Sequence, residues 1–210
     1  TSIRVQDHNN GDDYAVNFGV FDFSSDYFVL RFLFGLTDYM MAIYDFDKFV
    51  AEYRSYGSGI YEQHINMSNE EKAAFLHKLS ENARPENVVY RYNFVYNNCT
   101  TKARDLILSA LDGSVQYKPT VLQRGERSLR QLIHTKNDDY RWAKFGNDIV
   151  LGVGADANTT HDERQFLPDV LKNDFDSASV LFPDGTSKVL VDDARWVLPP
   201  GTPSCPDGMG

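Results

Sequence analysis

Apolar and polar residues along this chain alternate with two different periods, and the places where one period gives way to the other mark most of its elements. Thr1 to Asp7, with Ile3 and Val5 on one side, reads as a strand already under way, so the sequence is expected to be a trimmed fragment. His8-Asn9-Asn10-Gly11-Asp12-Asp13 carries an Asn-Gly turn signal, and Tyr14 to Phe23 returns as a second strand, which predicts an N-terminal hairpin. Gly19 inside that strand invites close approach of another backbone or side chain. Ser25 caps a short aromatic helix from Asp26 to Phe34, ended by Gly35. Asp38 to Tyr44 reads as a strand, Asp45 as the cap of a helix over Phe46 to Tyr56, and Gly57-Ser58-Gly59 as its breaker.

Ile60 to Met67 is the next strand. Ser68-Asn69-Glu70-Glu71 is a capping box opening a helix that runs to about Ala83, with Phe75, Leu76 and Leu79 on its inner face, and Pro85 closes it. Val88 to Tyr96, β-branched and aromatic, is expected to be extended. It leads into a helix in which Ala103, Leu106, Ile107, Ala110 and Leu111 recur with helical spacing, Asn98 is the N-cap and Gly113 the stop. Farther on, Ser128 to His134 predicts a short helix, Ile149 to Val153 a strand or turn, and His161 to Phe175 a helix that Pro168 restarts. Val180 to Phe182 and Lys188 to Val191 flank a Pro-Asp-Gly-Thr turn as a hairpin, and Leu198 onward is a Pro/Gly-rich tail.

This order predicts an α+β domain with an antiparallel sheet packed on helices over residues 1–175, and a C-terminal extension of hairpin and tail over 176–210. With 210 residues, 42% of them hydrophobic and 13% aromatic, the chain can bury a substantial core. A net charge of -9 argues against nucleic acid and against electrostatic docking on anionic lipid. No run approaches the ~18 apolar residues of a membrane span, the nearest being Tyr27 to Leu36 with Arg31 inside it. The five histidines, His8, His64, His77, His134 and His161, are scattered without metal-ligand spacing, so a metal site is not expected.

The chemistry concentrates at Cys99. Asn98 as N-cap puts this thiol at the first position of a helix, where the partial positive charge of the helix start favours thiolate over thiol and unpaired N–H groups can receive an oxyanion. Two other readings stay open: an inert core cysteine, and a disulfide with Cys205, the only other cysteine. Arg104 and Lys102, within a turn or two of Cys99, could favour the thiolate or a phosphate. A cysteine nucleophile needs a base, and among the histidines only His8, in the hairpin turn, offers itself.

The succession Asn17-Phe18-Gly19-Val20-Phe21-Asp22-Phe23, Gly35-Leu36-Thr37-Asp38-Tyr39-Met40, Tyr61-Glu62-Gln63, Tyr92-Asn93-Phe94 with Asn98-Cys99-Thr100-Thr101, Leu151-Gly152 with Ala155-Asp156, and Phe166-Leu167-Pro168-Asp169 resembles the periplasmic N-terminal domain of the Lnb lipoprotein N-acyltransferases, from Thr1 to about Phe175. That family in turn resembles the permuted NlpC/papain-like thiol fold, which includes lecithin:retinol acyltransferase. The resemblance implies Cys99 as nucleophile and a catalytic histidine immediately before Thr1, absent from this chain. Beside that histidine strand, Asn17 is a candidate to orient the imidazole, the alternative being a hairpin polar residue facing solvent, and Asn98 is a helix cap first and a site residue second. Asn93 stands where the family pattern usually carries an acid.

The implied reaction moves a fatty acyl chain from phospholipid, through a Cys99 thioester, to the N-terminal amine of a lipoprotein's diacylglyceryl-cysteine, in the periplasm, with the full-length protein anchored to the inner membrane. No cofactor is implied; the partners are phospholipid, lipoprotein and the membrane surface. Tyr27, Phe28, Phe32, Phe34, Tyr39, Met40 and Met41 read either as core or as an acyl groove. A cysteine peptidase or amidase acting on cell-wall peptides, and a catalytically silent binding domain, are the competing classes.

Overall fold

The computed structural model describes residues 1–21, 37–118, 128–134 and 156–201, and within them the chain is a mixed α/β protein with antiparallel sheets. Strands β1 (Ser2–Gln6) and β2 (Asp13–Val20) form the expected hairpin, registered from Ser2 opposite Asn17 to Gln6 opposite Asp13. Gly11 turns the corner with φ 81°, a conformation that costs glycine nothing. Strands β3 (Asp38–Asp45) and β5 (Val89–Arg91) extend the hairpin into a four-stranded sheet of order β1-β2-β3-β5.

Helices cover both faces of this sheet, because neighbouring residues of β2 point opposite ways. On one face, helix α1 (Phe46–Ser55) starts where the Asp45 carboxylate accepts from the Asp47 and Lys48 N–H groups, and sets Phe46 and Phe49 against Ala15. On the other, Val16, Phe18 and Met41 meet Phe75 and Leu79 of α2 (Asn69–Asn82) and Leu106 and Ala110 of α3 (Cys99–Ala110) in the largest core cluster of the described residues. The capping box predicted at Ser68 and Glu71 is present in both directions. Leu76, expected inside, is 44% exposed: Glu71, Phe75 and Leu79 repeat every four residues and form the inner stripe, and Leu76 falls outside it.

Two stretches differ from expectation for local reasons. Past Arg91 the extended segment ends early, because the Asn93 Oδ1 accepts from the N–H groups of Val95 and Tyr96 and the Asn97 amide donates to the Arg91 carbonyl, folding residues 93–97 into a tight loop. Helix α3 ends at a Leu111 cap, ahead of Gly113. Gly113 answers a different need: a Cβ there would stand 2.6 Å from the Leu181 carbonyl oxygen.

That contact belongs to a three-stranded sheet in which β6 (Ser114–Gln116) joins the hairpin of β7 (Ser179–Leu181) and β8 (Ser187–Val189). Helix α4 (Leu129–His134) precedes the divided pair α5 (His161–Arg164) and α6 (Pro168–Ser177), split as Pro168 predicts. A strand the sequence did not announce, β9 (Val191–Leu198), pairs antiparallel with β4 (Ile60–Ile65). Five of its eight residues are exposed, and Asp192-Asp193 interrupts its alternation, so the hydrophobic pattern was too weak to read. Both of these sheets pair strands across residues 175 and 176. The expected helix at 26–34, the strand or turn at 149–153 and Cys205 lie outside the described residues.

Candidate active site

The start of α3 is built around Asn98, which is 6% exposed and uses its whole side chain. Its Oδ1 accepts from the N–H groups of Thr100 (2.8 Å) and Thr101 (2.9 Å), and its Nδ2 donates to the carbonyls of Phe94 (2.9 Å) and Phe166 (3.0 Å). The Thr101 hydroxyl returns the favour by accepting from the Asn98 N–H at 2.9 Å. Asn98 therefore positions the helix start between two loops and has no hydrogen-bonding capacity left for a substrate. Of the first-turn donors expected to receive an oxyanion, those of Thr100 and Thr101 are engaged by the cap. The N–H of Cys99 itself makes no hydrogen bond among the described residues.

Cys99 is a half-buried free thiol at the first position of α3, packed at the rim of the main core. The α-amino nitrogen of Thr1 lies 3.9 Å from Sγ, and the hydroxyls of Thr1 and Thr100 meet at 2.9 Å. The hairpin thus delivers Thr1, the residue before β1, directly to the thiol. Asn17, opposite Ser2 in the ladder, stands on the neighbouring strand, where its Oδ1 accepts from the Gly19 N–H at 2.8 Å. A Cβ on Gly19 would lie 3.7 Å from the Cys99 Cβ, the close approach its sequence position suggested. Cys99, Asn98 and Asn17 are gathered in one place.

The other candidates are elsewhere. His8 sits at the turn end of the hairpin, about 20 Å from Thr1 by strand rise, so it is not the partner of Cys99. His64 pairs with Asp192, His77 with Glu81, and His161 with Asp162 and Asp174. Arg104 is held by Asp105 and by the Asp162 carbonyl. Lys102 lies over the Tyr90 ring at 4.8 Å. Of the aromatic and Met cluster, Tyr39 and Met41 are buried and Met40 is 42% exposed; Tyr27, Phe28, Phe32 and Phe34 lie outside the described residues.

Tyr39, one of the core-or-groove residues, belongs to a tyrosine cluster with Tyr90 and Tyr92 that the sequence pattern does not assemble. Tyr39 and Tyr90 face each other across β3 and β5, Tyr39 stacks on Tyr92 with centroids 4.1 Å apart, and Phe21 stands 4.8 Å from Tyr39. The readable signal was alternation: Tyr90 and Tyr92 share one face of an extended segment. Burial first, and then the charge of the neighbouring Cys99, pushes the Tyr39 phenol up. The same two effects, with neighbouring phenols adding to them, push Tyr90 and Tyr92 well above the ordinary phenol range. These hydroxyls stay protonated, so the cluster is aromatic and uncharged. Among the described residues no group of three His, Cys, Asp or Glu side chains is arranged to hold a metal ion.

Residues 1–134 match the family model of the Lnb N-terminal periplasmic domain. No curated protein and no solved structure matches the chain.

Proposed function

The chain belongs to the Lnb N-terminal periplasmic domain family, and from that premise we propose that it is a periplasmic cysteine acyltransferase that carries a fatty acyl chain from a glycerolipid ester, phospholipid being the expected donor, to the N-terminal amine of a lipoprotein. The observation that carries this reading is the thiol at the start of α3 with the Thr1 nitrogen 3.9 Å from its sulfur. A histidine joined to that nitrogen would begin beside the nucleophile, as the permuted NlpC/papain-like arrangement requires. Anchoring of the full-length protein to the inner membrane belongs to the same proposal.

In the first half-reaction the Cys99 thiolate attacks the ester carbonyl, and the tetrahedral oxyanion accepts from the Cys99 N–H, the donor the cap leaves over. The carbon–oxygen bond then breaks, and the departing alkoxide takes a proton from the imidazolium. In the second, the lipoprotein amine attacks the thioester, gives its proton to the imidazole, and the carbon–sulfur bond breaks to return the thiolate. The aromatic wall of Tyr39, Tyr90 and Tyr92 supports a transferase over a hydrolase, because it disfavours water at the acyl-enzyme.

The test compares the chain beginning at Thr1 with one extended by Gly-His before it. Incubated with phospholipid and no amine, the extended chain should gain the mass of one acyl group on Cys99, removable by hydroxylamine. Transfer within a diacylated lipoprotein, without added phospholipid, would move the donor to the lipoprotein's own glyceryl esters. Absence of any acyl-enzyme in either setting, with release of peptide from cell-wall material, would replace the proposal by the peptidase reading.

A further inference from the structure

The two threonines that follow the nucleophile use their hydroxyls differently. Thr101 turns its hydroxyl back on the helix cap and donates to the Asn98 carbonyl at 3.1 Å, a local bond of the kind hydroxyls commonly make in helices. Thr100 is 1% exposed, and its N–H is already taken by Asn98 Oδ1. Its hydroxyl leaves the helix and meets the Thr1 hydroxyl at 2.9 Å, across 99 positions of sequence. The same Thr100 oxygen stands 4.0 Å from Cys99 Sγ.

The β1–β2 ladder shows what that bond fixes. Ser2 lies opposite Asn17 and Ile3 opposite Val16, and Ile3, Val5 and Val16 all pack into the main core with α2 and α3. Side chains alternate along a strand, so Thr1 shares the side of Ile3, and its hydroxyl reaches α3. A residue joined to the Thr1 nitrogen falls on the other side, with Ser2 and Asn17. Continued by two positions, the ladder sets that residue opposite Gly19, on which a Cβ would lie 3.7 Å from the Cys99 Cβ. The Thr1–Thr100 bond therefore fastens strand to helix one residue away from each reacting group.

Resting on the histidine that the acyl-transfer reading places ahead of Thr1, we infer that Thr100, through its hydroxyl bond to Thr1, is the positioning residue that holds the imidazole at the Cys99 sulfur. The sulfur belongs to α3 and the imidazole to the strand, and the hydroxyl pair joins the two bodies beside the reaction. Valine at position 100 keeps the branched shape and loses the bond. Serine keeps the bond.

The experiment follows alkylation of Cys99 by iodoacetamide against pH in the full chain carrying Gly-His before Thr1, with Gly-Ala there as the reference. Tyr39, Tyr53, Tyr90 and Tyr92, the phenols that feel the charge of Cys99, are all pushed up, chiefly by burial, and Lys102 stays charged, so none of them titrates near neutral pH. The Gly-His chain should reach half its maximal rate about one pH unit or more below the reference, because an imidazolium beside the sulfur holds the thiolate. Thr100→Val should move that midpoint most of the way to the reference and slow acyl-enzyme formation about tenfold or more, while Thr100→Ser stays within about twofold of wild type, as expected when a reacting group is displaced or kept in place. Thr1→Val, at the exposed partner, should do the same, and the double variant no more than either, which keeps the test decisive if the buried valine disturbs the helix. A wild-type midpoint in folded Thr100→Val or in Thr1→Val overturns the inference, as does a Gly-His chain that titrates like the Gly-Ala reference. An equal shift by Thr100→Val in both chains also overturns it, since the hydroxyl would then act on the sulfur directly. A midpoint that follows the hydroxyl pair in a protein that never forms an acyl-enzyme would remove the acyl-transfer reading and leave this one standing.

Discussion

At the scale of single residues, Cys99 and Asn98 are neighbours with opposite duties. Cys99 sits at the rim of the core with its own N–H unengaged among the described residues, so removing its sulfur should cost about 1 kcal/mol of packing and all of the chemistry. Cys99→Ala is expected to melt within a few degrees of wild type and to form no acyl-enzyme; a variant that still transfers acyl chains would show that another group is the nucleophile. Asn98 gives the less intuitive result. Aspartate is as good an N-cap as asparagine in general, yet here the cap's other end faces the carbonyls of Phe94 and Phe166. Asn98→Asp turns two donated bonds into oxygen facing oxygen in a buried site, and should lose about 2 kcal/mol or more at neutral pH. Urea denaturation decides it: an aspartate variant as stable as wild type would mean the two carbonyl bonds contribute nothing.

At the scale of elements, Glu71 shows how one side chain joins three of them. The carboxylate is 1% exposed, caps the start of α2 through the Ser68 N–H, accepts from the Asp112 N–H just beyond α3, and pairs with Lys188 of β8 at 2.5 Å. Burial pushes the group up, but Lys188 and the two N–H donors outweigh it and hold Glu71 below its ordinary value of 4.5. A depressed carboxylate stabilises the fold fully above that value and loses its contribution as pH falls through the folded one. Glu71→Gln should therefore cost about 3 kcal/mol at pH 7 by leaving Lys188 unpaired, and the gap to wild type should narrow steadily below about pH 4.5. A gap that stays constant down to acid pH would mean the charge is not what matters. The capping box itself was legible, since Ser68 and Glu71 stand three apart before an apolar stripe. Lys188, more than a hundred residues away, was not. The same division holds at the site: the Asn98 cap and the Cys99 helix start are local and readable, whereas the approach of Thr1 to the sulfur and of Gly19 to the Cys99 side chain depends on how β1 and β2 pair and pack on α3.

At the scale of the whole molecule, β9, the strand whose exposed and charged residues hide it from the hydrophobic pattern, ties the two ends of the chain together. Its eight residues carry little core, yet they close the chain back onto β4. Val197 joins Ile60 beside the cluster of Ala15, Phe46 and Phe49, Trp196 meets the Tyr61 ring edge-on at 5.2 Å, and Arg195 reaches Glu62. Glu62 also pairs with Arg4 of β1, which stacks over Phe46 at 3.7 Å and grips Asp13 of β2. The final strand is thereby linked, through one shared carboxylate, to the hairpin that delivers Thr1 to the thiol. Ending the chain at Leu190 removes the half-buried Val197, the aromatic pair and a ladder of backbone bonds, together about 3 kcal/mol or more. For a chain of this size that corresponds to a fall in Tm of about 6–12 °C. Calorimetry on the full and shortened chains gives the answer: equal melting temperatures would make the C-terminal strand an appendage, while a single cooperative transition at lower temperature would make residues 191–198 part of the unit that holds the site together.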